Sequence, residues 1–191
     1  MEIFTSAEAM AVFSLEGIGR APARLDFKKL ESTCGHHIAV MGDAALLHEL
    51  EGYLAAAAKP ALTPLQRARL LQAMPVLKER SKNFPELLEK ASFALISRPV
   101  VAEPKAAESL DTVSRGILKT LTPRLQHASW TKETLEPILN GIAAENGIGF
   151  GKLAAPLRAA LAGRSVTPSV FDMMLVIGRE ETIARLDEAA A

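Results

Sequence analysis

Apolar residues recur at helical spacing along most of the chain. Four large apolar side chains that follow Thr63 share one face of a helix: Leu70, Leu71, Met74 and Leu77. Comparable stripes and their punctuation predict further helices over 5–15, 45–58, 83–96, 105–121, 132–144, 151–162, 168–177 and 179–190. No segment shows the strict alternation expected of a half-buried strand. The pattern therefore predicts an all-α fold.

Capping residues mark where these helices begin. Thr63 is followed by Pro64 and Gln66, which combines a threonine cap, a proline at the first helical position and a glutamine at the third. Thr5 and Glu8 have the spacing of a capping box, in which the side chain of each residue accepts a hydrogen bond from the backbone N–H of the other. These two motifs predict helices that start at 64 and 6.

Glycine and proline mark the helix ends and a connector. Gly163 and Gly178 stand where two helices should stop, because glycine adopts the left-handed backbone conformation of a helix end at little cost. Pro99 and Pro104 flank an apolar pair within 97–104. Since the residue before a proline avoids the helical conformation, this segment predicts an extended connector between two helical parts.

Composition agrees with helix-on-helix packing, and the charge is uneven. Hydrophobic residues make up 49% of the chain but aromatic residues only 5%, which suits small helical interfaces better than sheets. The formal net charge is zero, yet residues 112–168 carry seven bases against three acids, and residues 169–191 carry two against five. A basic segment beside an acidic one predicts a local footprint for a polyanion.

The cysteine count and the apolar runs predict the compartment. Cys34 is the only cysteine, so an intrachain disulfide is excluded and a reducing environment is expected. No apolar run reaches the roughly 18 residues that cross a bilayer, and the first ten residues lack the pattern of a signal peptide. We expect a cytoplasmic protein with no membrane partner.

Two motifs imitate catalytic or metal chemistry and fail on inspection. The segment 146–153 resembles a phosphate-binding loop, but it has Asn146 where the loop needs glycine and Leu153 where it needs serine or threonine. The segment 34–37, Cys-Gly-His-His, lacks the second ligand pair of a structural zinc site, and a helix end followed by a turn is expected there. We therefore expect no catalytic residues, no metal site and no cofactor in this chain.

The segment after Gly149 carries the most specific chemistry. Arg158 lies beside the apolar stripe of a helix that ends at Gly163, and Thr167-Pro168 is predicted to cap and open the next helix. Phe171 follows one turn later. An arginine, a helix amino terminus and an aromatic ring can together receive unstacked RNA bases. Physical reasoning alone nevertheless favours a plain helical hairpin with Phe171 in the core.

Three stretches carry a family resemblance. They are Gly19-Arg20-Ala21-Pro22, Lys78-Glu79-Arg80-Ser81-Lys82-Asn83-Phe84, and the run from Lys152 through Pro156-Leu157-Arg158, Thr167-Pro168 and Phe171 to Ile177-Gly178-Arg179-Glu180. In this order they resemble the carboxy-terminal, anticodon-binding region of bacterial glutamyl-tRNA synthetases, which are class I aminoacyl-tRNA synthetases. The resemblance covers essentially the whole chain.

The resemblance implies a binding region without catalysis of its own. It implies a helical cage of two small anticodon-binding subdomains, 46–103 and 104–191, preceded over 1–45 by the end of a helical stem-contact domain. The partners that it implies are tRNA-Glu and an amino-terminal catalytic domain, which would use ATP with Mg to glutamylate the tRNA. No DNA partner is implied, and both nucleotide-handling signatures of the catalytic domain are absent from this sequence.

The resemblance also assigns residues. Five positions match those that line the family's anticodon pocket: Arg158, Thr167, Pro168, Val170 and Phe171. Arg80 matches the arginine that reads the third anticodon base in enzymes that discriminate tRNA-Glu from tRNA-Gln, a task that suits a forked guanidinium. Bases near the pocket are expected to contact phosphates: Lys119, Arg124, Lys152 and Arg164.

Two alternatives remain open at this point. The zero net charge is also compatible with a helical protein-interaction module that has no RNA role. The same region of a non-discriminating enzyme, which also charges tRNA-Gln, would differ chiefly in the residue that faces the third anticodon base.

Overall fold

The computed structural model describes residues 4–19 and 24–191, and in these residues it contains helices and no strand. The helices, in chain order, are α1 (Ser6–Val12), α2 (Phe27–Val40), α3 (Asp43–Ala56), α4 (Pro64–Lys78), α5 (Phe84–Lys90), α6 (Ser92–Leu95), α7 (Pro104–Ala107), α8 (Thr112–Gln126), α9 (Lys132–Glu145), α10 (Phe150–Ala162), α11 (Val170–Ile177) and α12 (Arg179–Ala190). The predicted all-α fold is confirmed. None of the helices described is long and apolar enough to cross a membrane.

Capping explains where the best-predicted helices begin. The Thr63 side chain accepts from the Gln66 N–H while the Gln66 side chain accepts from the Thr63 N–H, so α4 starts with a complete capping box. Thr5 and Glu8 make the same reciprocal pair at α1. Both motifs had been predicted from residue spacing alone, and both predictions are confirmed.

Three details of the sequence prediction are wrong. The predicted helix 83–96 is two helices. The first, α5, ends at Lys90, and the single turn of α6 then places Phe93 in the core against α4 and α11. The predicted helix 105–121 is also interrupted: the single turn of α7 ends at Ala107, and α8 starts at Thr112, where Asp111 accepts from the Ser114 N–H and caps it. Residues 34–37 lie inside α2 rather than at a helix end, since α2 runs on to Val40.

One hydrophobic core joins α2 to α6 and α8 to α12. The helix α4 packs against α3, α6 and α11, while α8 packs chiefly along α12, and α10 contacts α9, α11 and α12. The buried residues of these helices form a single cluster that runs from Ile38 to Ala190. The two predicted subdomains, 46–103 and 104–191, therefore share apolar contacts, and their division stays a prediction.

A buried arginine ties the two halves together. Arg185 of α12 is 1% exposed and donates to the backbone oxygens of Phe93, Leu161 and Ile96 at 2.8, 2.5 and 3.0 Å. Its Nε also bonds Glu181, one helical turn earlier, at 2.8 Å. Because a guanidinium has five N–H donors in a fixed plane, one side chain satisfies three carbonyls from two separate segments, α6 with its C-cap and α10.

The connector before α7 packs against the end of α10. Gly163 ends α10 with φ of +68°, as its position in the sequence had predicted, and its carbonyl accepts from the Glu103 N–H at 2.8 Å. A Cβ at Gly163 would lie 2.5 Å from the carbonyl oxygen of Val101. Glycine is required here both for the backbone conformation and for the close approach of the connector.

Candidate functional site

A small cavity brings together residues that lie almost ninety positions apart in the sequence. It is formed where the carboxy-terminal end of α4 meets the loop between α10 and α11. Its lining comprises Val76, Leu77, Arg80, Lys90, Val166, Thr167 and Pro168, around a volume of about 190 Å³. Three of the six residues predicted to bind an anticodon, Arg80, Thr167 and Pro168, therefore share one cavity.

The cavity combines positive charge with an apolar wall. Arg80 is exposed, and no carboxylate belongs to the lining. Lys90 donates from its Nζ to the Arg80 carbonyl and forms an ion pair of 2.6 Å with Glu86. The hydrogen bond from Lys90, with a further one from the Lys82 N–H, holds the pKa of Glu86 below its ordinary value. Glu86 therefore stays ionised and orients Lys90. The Arg80 guanidinium is then the cation of the lining that has no partner among residues 4–19 and 24–191.

The α10–α11 loop differs in detail from its predicted form. Thr167 and Pro168 do not cap and open α11, because that helix starts at Val170 with Ser169 as its N-cap residue. The Thr167 hydroxyl instead donates to the Pro168 carbonyl at 2.9 Å. The predicted cap is therefore wrong by two residues. Thr167 is half-buried and Pro168 buried, so both shape the cavity wall rather than a helix amino terminus.

The predicted aromatic surface lies inside the protein. Phe171 is 8% exposed and stacks on Phe150, with ring centroids 5.4 Å apart and an angle of 7° between the rings. Val170 is 2% exposed and also belongs to the core. Both side chains support the α10–α11 loop from the core, as the plain-hairpin alternative expects for Phe171. Neither presents a free face on which a base could stack.

Arg158 occupies a different position from Arg80. It is half-buried on α10, outside the lining of the cavity. Within residues 4–19 and 24–191 its guanidinium has no hydrogen bond or ion pair, unlike Arg164, Arg179 and Arg185 nearby in the sequence. A half-buried arginine that the fold does not use is available to a ligand, and its role as a base contact stays a prediction.

The four predicted phosphate contacts divide into two kinds. Arg124 is paired with both oxygens of Glu145 at 2.8 and 2.7 Å, and Arg164 is held between Glu89 at 2.7 Å and Glu103 at 3.0 Å. These internal pairs neutralise both arginines, and Arg164 fixes the start of the α10–α11 loop. Lys119 and Lys152 are exposed with no ion pair within the described part of the chain. The two lysines are the better candidates for phosphate.

Sequence reasoning missed the second charged member of the cavity, Lys90. Lys90 follows Arg80 by ten residues, with a helix start between them, and neither a motif nor a helical period connects the two. Only the fold brings α5 back alongside the end of α4. Its i, i+4 pairing with Glu86 was visible in the sequence, but this pairing predicts an ordinary exposed helix face.

Comparison with known proteins decides the family. The sequence model of the family described as the anticodon binding domain matches residues 53–190 of this chain. The chain belongs to the anticodon-binding-domain family. This domain is 70% identical over 190 residues to glutamate–tRNA ligase 2 of Cereibacter sphaeroides and 60% identical over 190 residues to glutamate–tRNA ligase 1 of Dinoroseobacter shibae, covering all of this chain and 40% of each relative. The resemblance inferred from sequence motifs is thereby confirmed.

Solved structures agree with the fold of this anticodon-binding domain. The crystal structure of a glutamate tRNA ligase from Elizabethkingia meningosepticum, in complex with its amino acid, superposes with a TM-score of 0.74 at 25% identity. The match covers 93% of this chain and 35% of that structure. The chain thus spans less than half the length of the ligases that it matches.

Among the described residues of this chain, no group of three or more His, Cys, Asp or Glu side chains is placed to hold a metal ion.

Proposed function

We propose that this domain binds the anticodon loop of tRNA-Glu. The observation that carries the proposal is the convergence of Arg80, Thr167 and Pro168 on one cavity, formed by α4 and the α10–α11 loop. The cavity has one free guanidinium, apolar walls and no carboxylate. A base that leaves its stack needs such a combination, because its faces are apolar and its edge carries hydrogen-bond acceptors.

Arg80 is the residue that reads a base in this proposal. A guanidinium donates two parallel hydrogen bonds in a fixed fork, so it recognises an edge with two acceptors better than an amide or an ammonium does. Thr167 and Pro168 fix the shape of the wall, and Phe171 and Val170 support the loop from the core. Arg158 clamps a second base, while Lys119 and Lys152 bind phosphates.

The relatives suggest how this binding is used. These relatives are glutamate–tRNA ligases, and we propose that this domain orients tRNA-Glu for a catalytic domain of the same enzyme in the cytoplasm. ATP and Mg would act in that catalytic domain. Exposed apolar side chains near the amino terminus support such a neighbour. Nine large ones are exposed among the described residues 4–19 and 24–30: Phe4, Met10, Val12, Phe13, Leu15, Ile18, Leu25, Phe27 and Leu30. Exposed apolar surface on this scale is typical of an interface.

The test compares two variants on two RNAs. Arg80→Gln should weaken binding of tRNA-Glu by about 1–3 kcal/mol, and it should have little effect on the same tRNA with its third anticodon base changed. Lys119→Ala is the matched control, because a phosphate contact lowers both affinities equally and reduces the salt dependence. Equal losses on both tRNAs for Arg80→Gln would remove Arg80 from base recognition. Binding of tRNA-Gln as tight as that of tRNA-Glu would indicate a non-discriminating enzyme.

A further inference from the structure

A second, larger cavity lies at the opposite end of α4. It has a volume of about 680 Å³ and is lined by Leu65, Arg69, Arg98, Trp130, Ile177, Gly178, Arg179, Glu180 and Glu181. Fifteen residues of α4 separate the two ends by about 22 Å. The cavity shares no lining residue with the Arg80 cavity, so the anticodon proposal does not account for it.

Three arginines line this cavity and Arg185 adjoins it, so four guanidinium groups face the three carboxylates of Glu180, Glu181 and Glu188. Glu188 already bonds Arg98 at 2.8 Å. Glu181 bonds Arg185 at 2.8 Å, which engages one of its oxygens outside the lining. Its other oxygen is shared between Arg98 at 3.5 Å and Arg69 at 3.7 Å. Burial raises the pKa of Glu181, but the hydrogen bond and charge of Arg185, with smaller contributions from Arg69 and Arg98, outweigh it, so the carboxyl remains ionised.

Arg69 is held loosely although it is mostly enclosed. Its side chain is 11% exposed, and its Nη2 reaches the Ile177 carbonyl at 3.5 Å and Glu181 at 3.7 Å. These distances exceed the 2.7–2.9 Å of a good charge-assisted hydrogen bond. Its donors therefore remain free to make closer bonds to a ligand in the cavity.

Arg179 adds a second incompletely satisfied guanidinium. It lies over the ring of Trp130 at 5.6 Å and donates from one terminal nitrogen to the Ala128 carbonyl. Its Nε is buried and has no hydrogen-bond partner in the part of the chain that the structure describes. The contact with Trp130 holds the guanidinium at the cavity wall, where small movements would change the environment of the indole.

The start of α12 faces the same space. Gly178 is the N-cap residue of α12 and has no side chain that could cap it. The Gly178 carbonyl accepts a hydrogen bond from the Thr182 N–H. The first turn, Arg179 to Glu181, therefore brings backbone N–H groups without helical partners beside the three arginines. Such groups add a positive dipole end to the guanidinium cluster.

We propose that this cavity binds a phosphate group through Arg69 and Arg179, beside Arg98 in its ion pair with Glu188. Forked guanidinium groups match the tetrahedral oxygens of phosphate, and a partly enclosed site strengthens each charge-assisted bond. The phosphate belongs either to an RNA backbone or to a free phosphate compound, since both present the same oxygens. The site stands independently of the proposed anticodon function.

The experiment uses Trp130, the single tryptophan of the chain, as the reporter. Its fluorescence is followed during titration with inorganic phosphate, against potassium chloride at matched ionic strength. A saturable change that chloride does not reproduce is expected. Arg69→Gln should weaken phosphate binding about tenfold or more, as expected for losing a charged hydrogen bond. Arg67→Gln should bind like the unaltered protein, because Arg67 lies on the same helix, pairs with Glu51 and is outside the cavity.

A second variant tests the sign of the effect without removing a buried group. Glu180 is exposed in the lining, so Glu180→Gln should tighten phosphate binding by removing a negative charge. No saturable change with phosphate, or equal affinities of Arg69→Gln and Arg67→Gln, would overturn the proposal. A blunt RNA duplex without a loop then separates the sources. Competition between duplex and phosphate indicates an RNA backbone, and phosphate binding without duplex binding indicates a free phosphate compound.

Discussion

Replacing Gly163 by alanine tests how the connector and the α10–α11 loop are held. The substitution adds one methyl group at a residue with φ of +68°, and this group would lie 2.5 Å from the Val101 carbonyl oxygen. Since both atoms belong to or directly adjoin the backbone, neither can turn aside. The connector must move away from the end of α10, which also strains the hydrogen bond from Glu103 to Gly163.

The loss of stability on Gly163→Ala has two parts, which the same substitution at a second glycine distinguishes. A left-handed alanine costs about 1–2 kcal/mol wherever it stands. Displacing packed neighbours adds about 1–3 kcal/mol, as in other overpacked sites. Gly147 has φ of +63° but nothing within 4 Å of an added Cβ, so Gly147→Ala carries the first part only. We expect about 1–2 kcal/mol for Gly147→Ala and about 2–5 kcal/mol for Gly163→Ala.

Urea unfolding of the two variants measures the difference directly, because the midpoint shifts in proportion to the free energy of unfolding when the slope is unchanged. Gly163→Ala should also weaken tRNA binding, since Gly163 immediately precedes the loop that carries Thr167 and Pro168. Equal destabilisation by the two substitutions would refute the reasoning, because it would mean that the contact with Val101 has no energetic weight.

Three further predictions concern stability. Arg185→Met should cost about 3–5 kcal/mol, because it removes the nearest partner of the Glu181 charge and leaves three carbonyls without donors; urea unfolding checks this. Thr63→Ala should cost about 1 kcal/mol, whereas Thr131→Ala should be nearly neutral, since Thr131 makes no side-chain cap bond at α9. The pKa of Glu181 lies below its ordinary value of 4.5 in the folded state, so acidification protonates the unfolded chain first and stability falls from about pH 5 downwards. Glu181→Gln should flatten this dependence, and an unchanged slope against pH would contradict the assignment.

Local chemistry made much of the fold predictable. The capping boxes at Thr5 and Thr63 and the glycine at 163 act within a few residues, so the sequence shows them without the tertiary structure. The break after Lys90 depends instead on how α6 fits between α4 and α11, which no local pattern records. The end of α2 was placed too early because Cys34-Gly35 resembles a helix end, although the helix continues through it to Val40.

The residues of the candidate site likewise fall into those that the sequence showed and those that only tertiary packing brings together. Thr167 and Pro168 were found through motif resemblance, but their exact helical role was misjudged because the Thr167 hydroxyl bonds Pro168 rather than an amide of α11. Lys90 joins the cavity only through tertiary packing. The internal pairing of Arg124 with Glu145 likewise depends on the approach of α8 and α9, so the sequence showed the charge but not its neutralisation.

The most direct test of the central claim is the affinity of this chain for tRNA-Glu beside the same tRNA with an altered anticodon, at one stated low salt concentration. Both RNAs share every other phosphate and base, so the ratio of the two dissociation constants isolates anticodon recognition. The account predicts that the native anticodon binds at least about tenfold more tightly, the equivalent of one lost base contact. Equal affinities would contradict it and would leave only non-specific attraction to the basic surface.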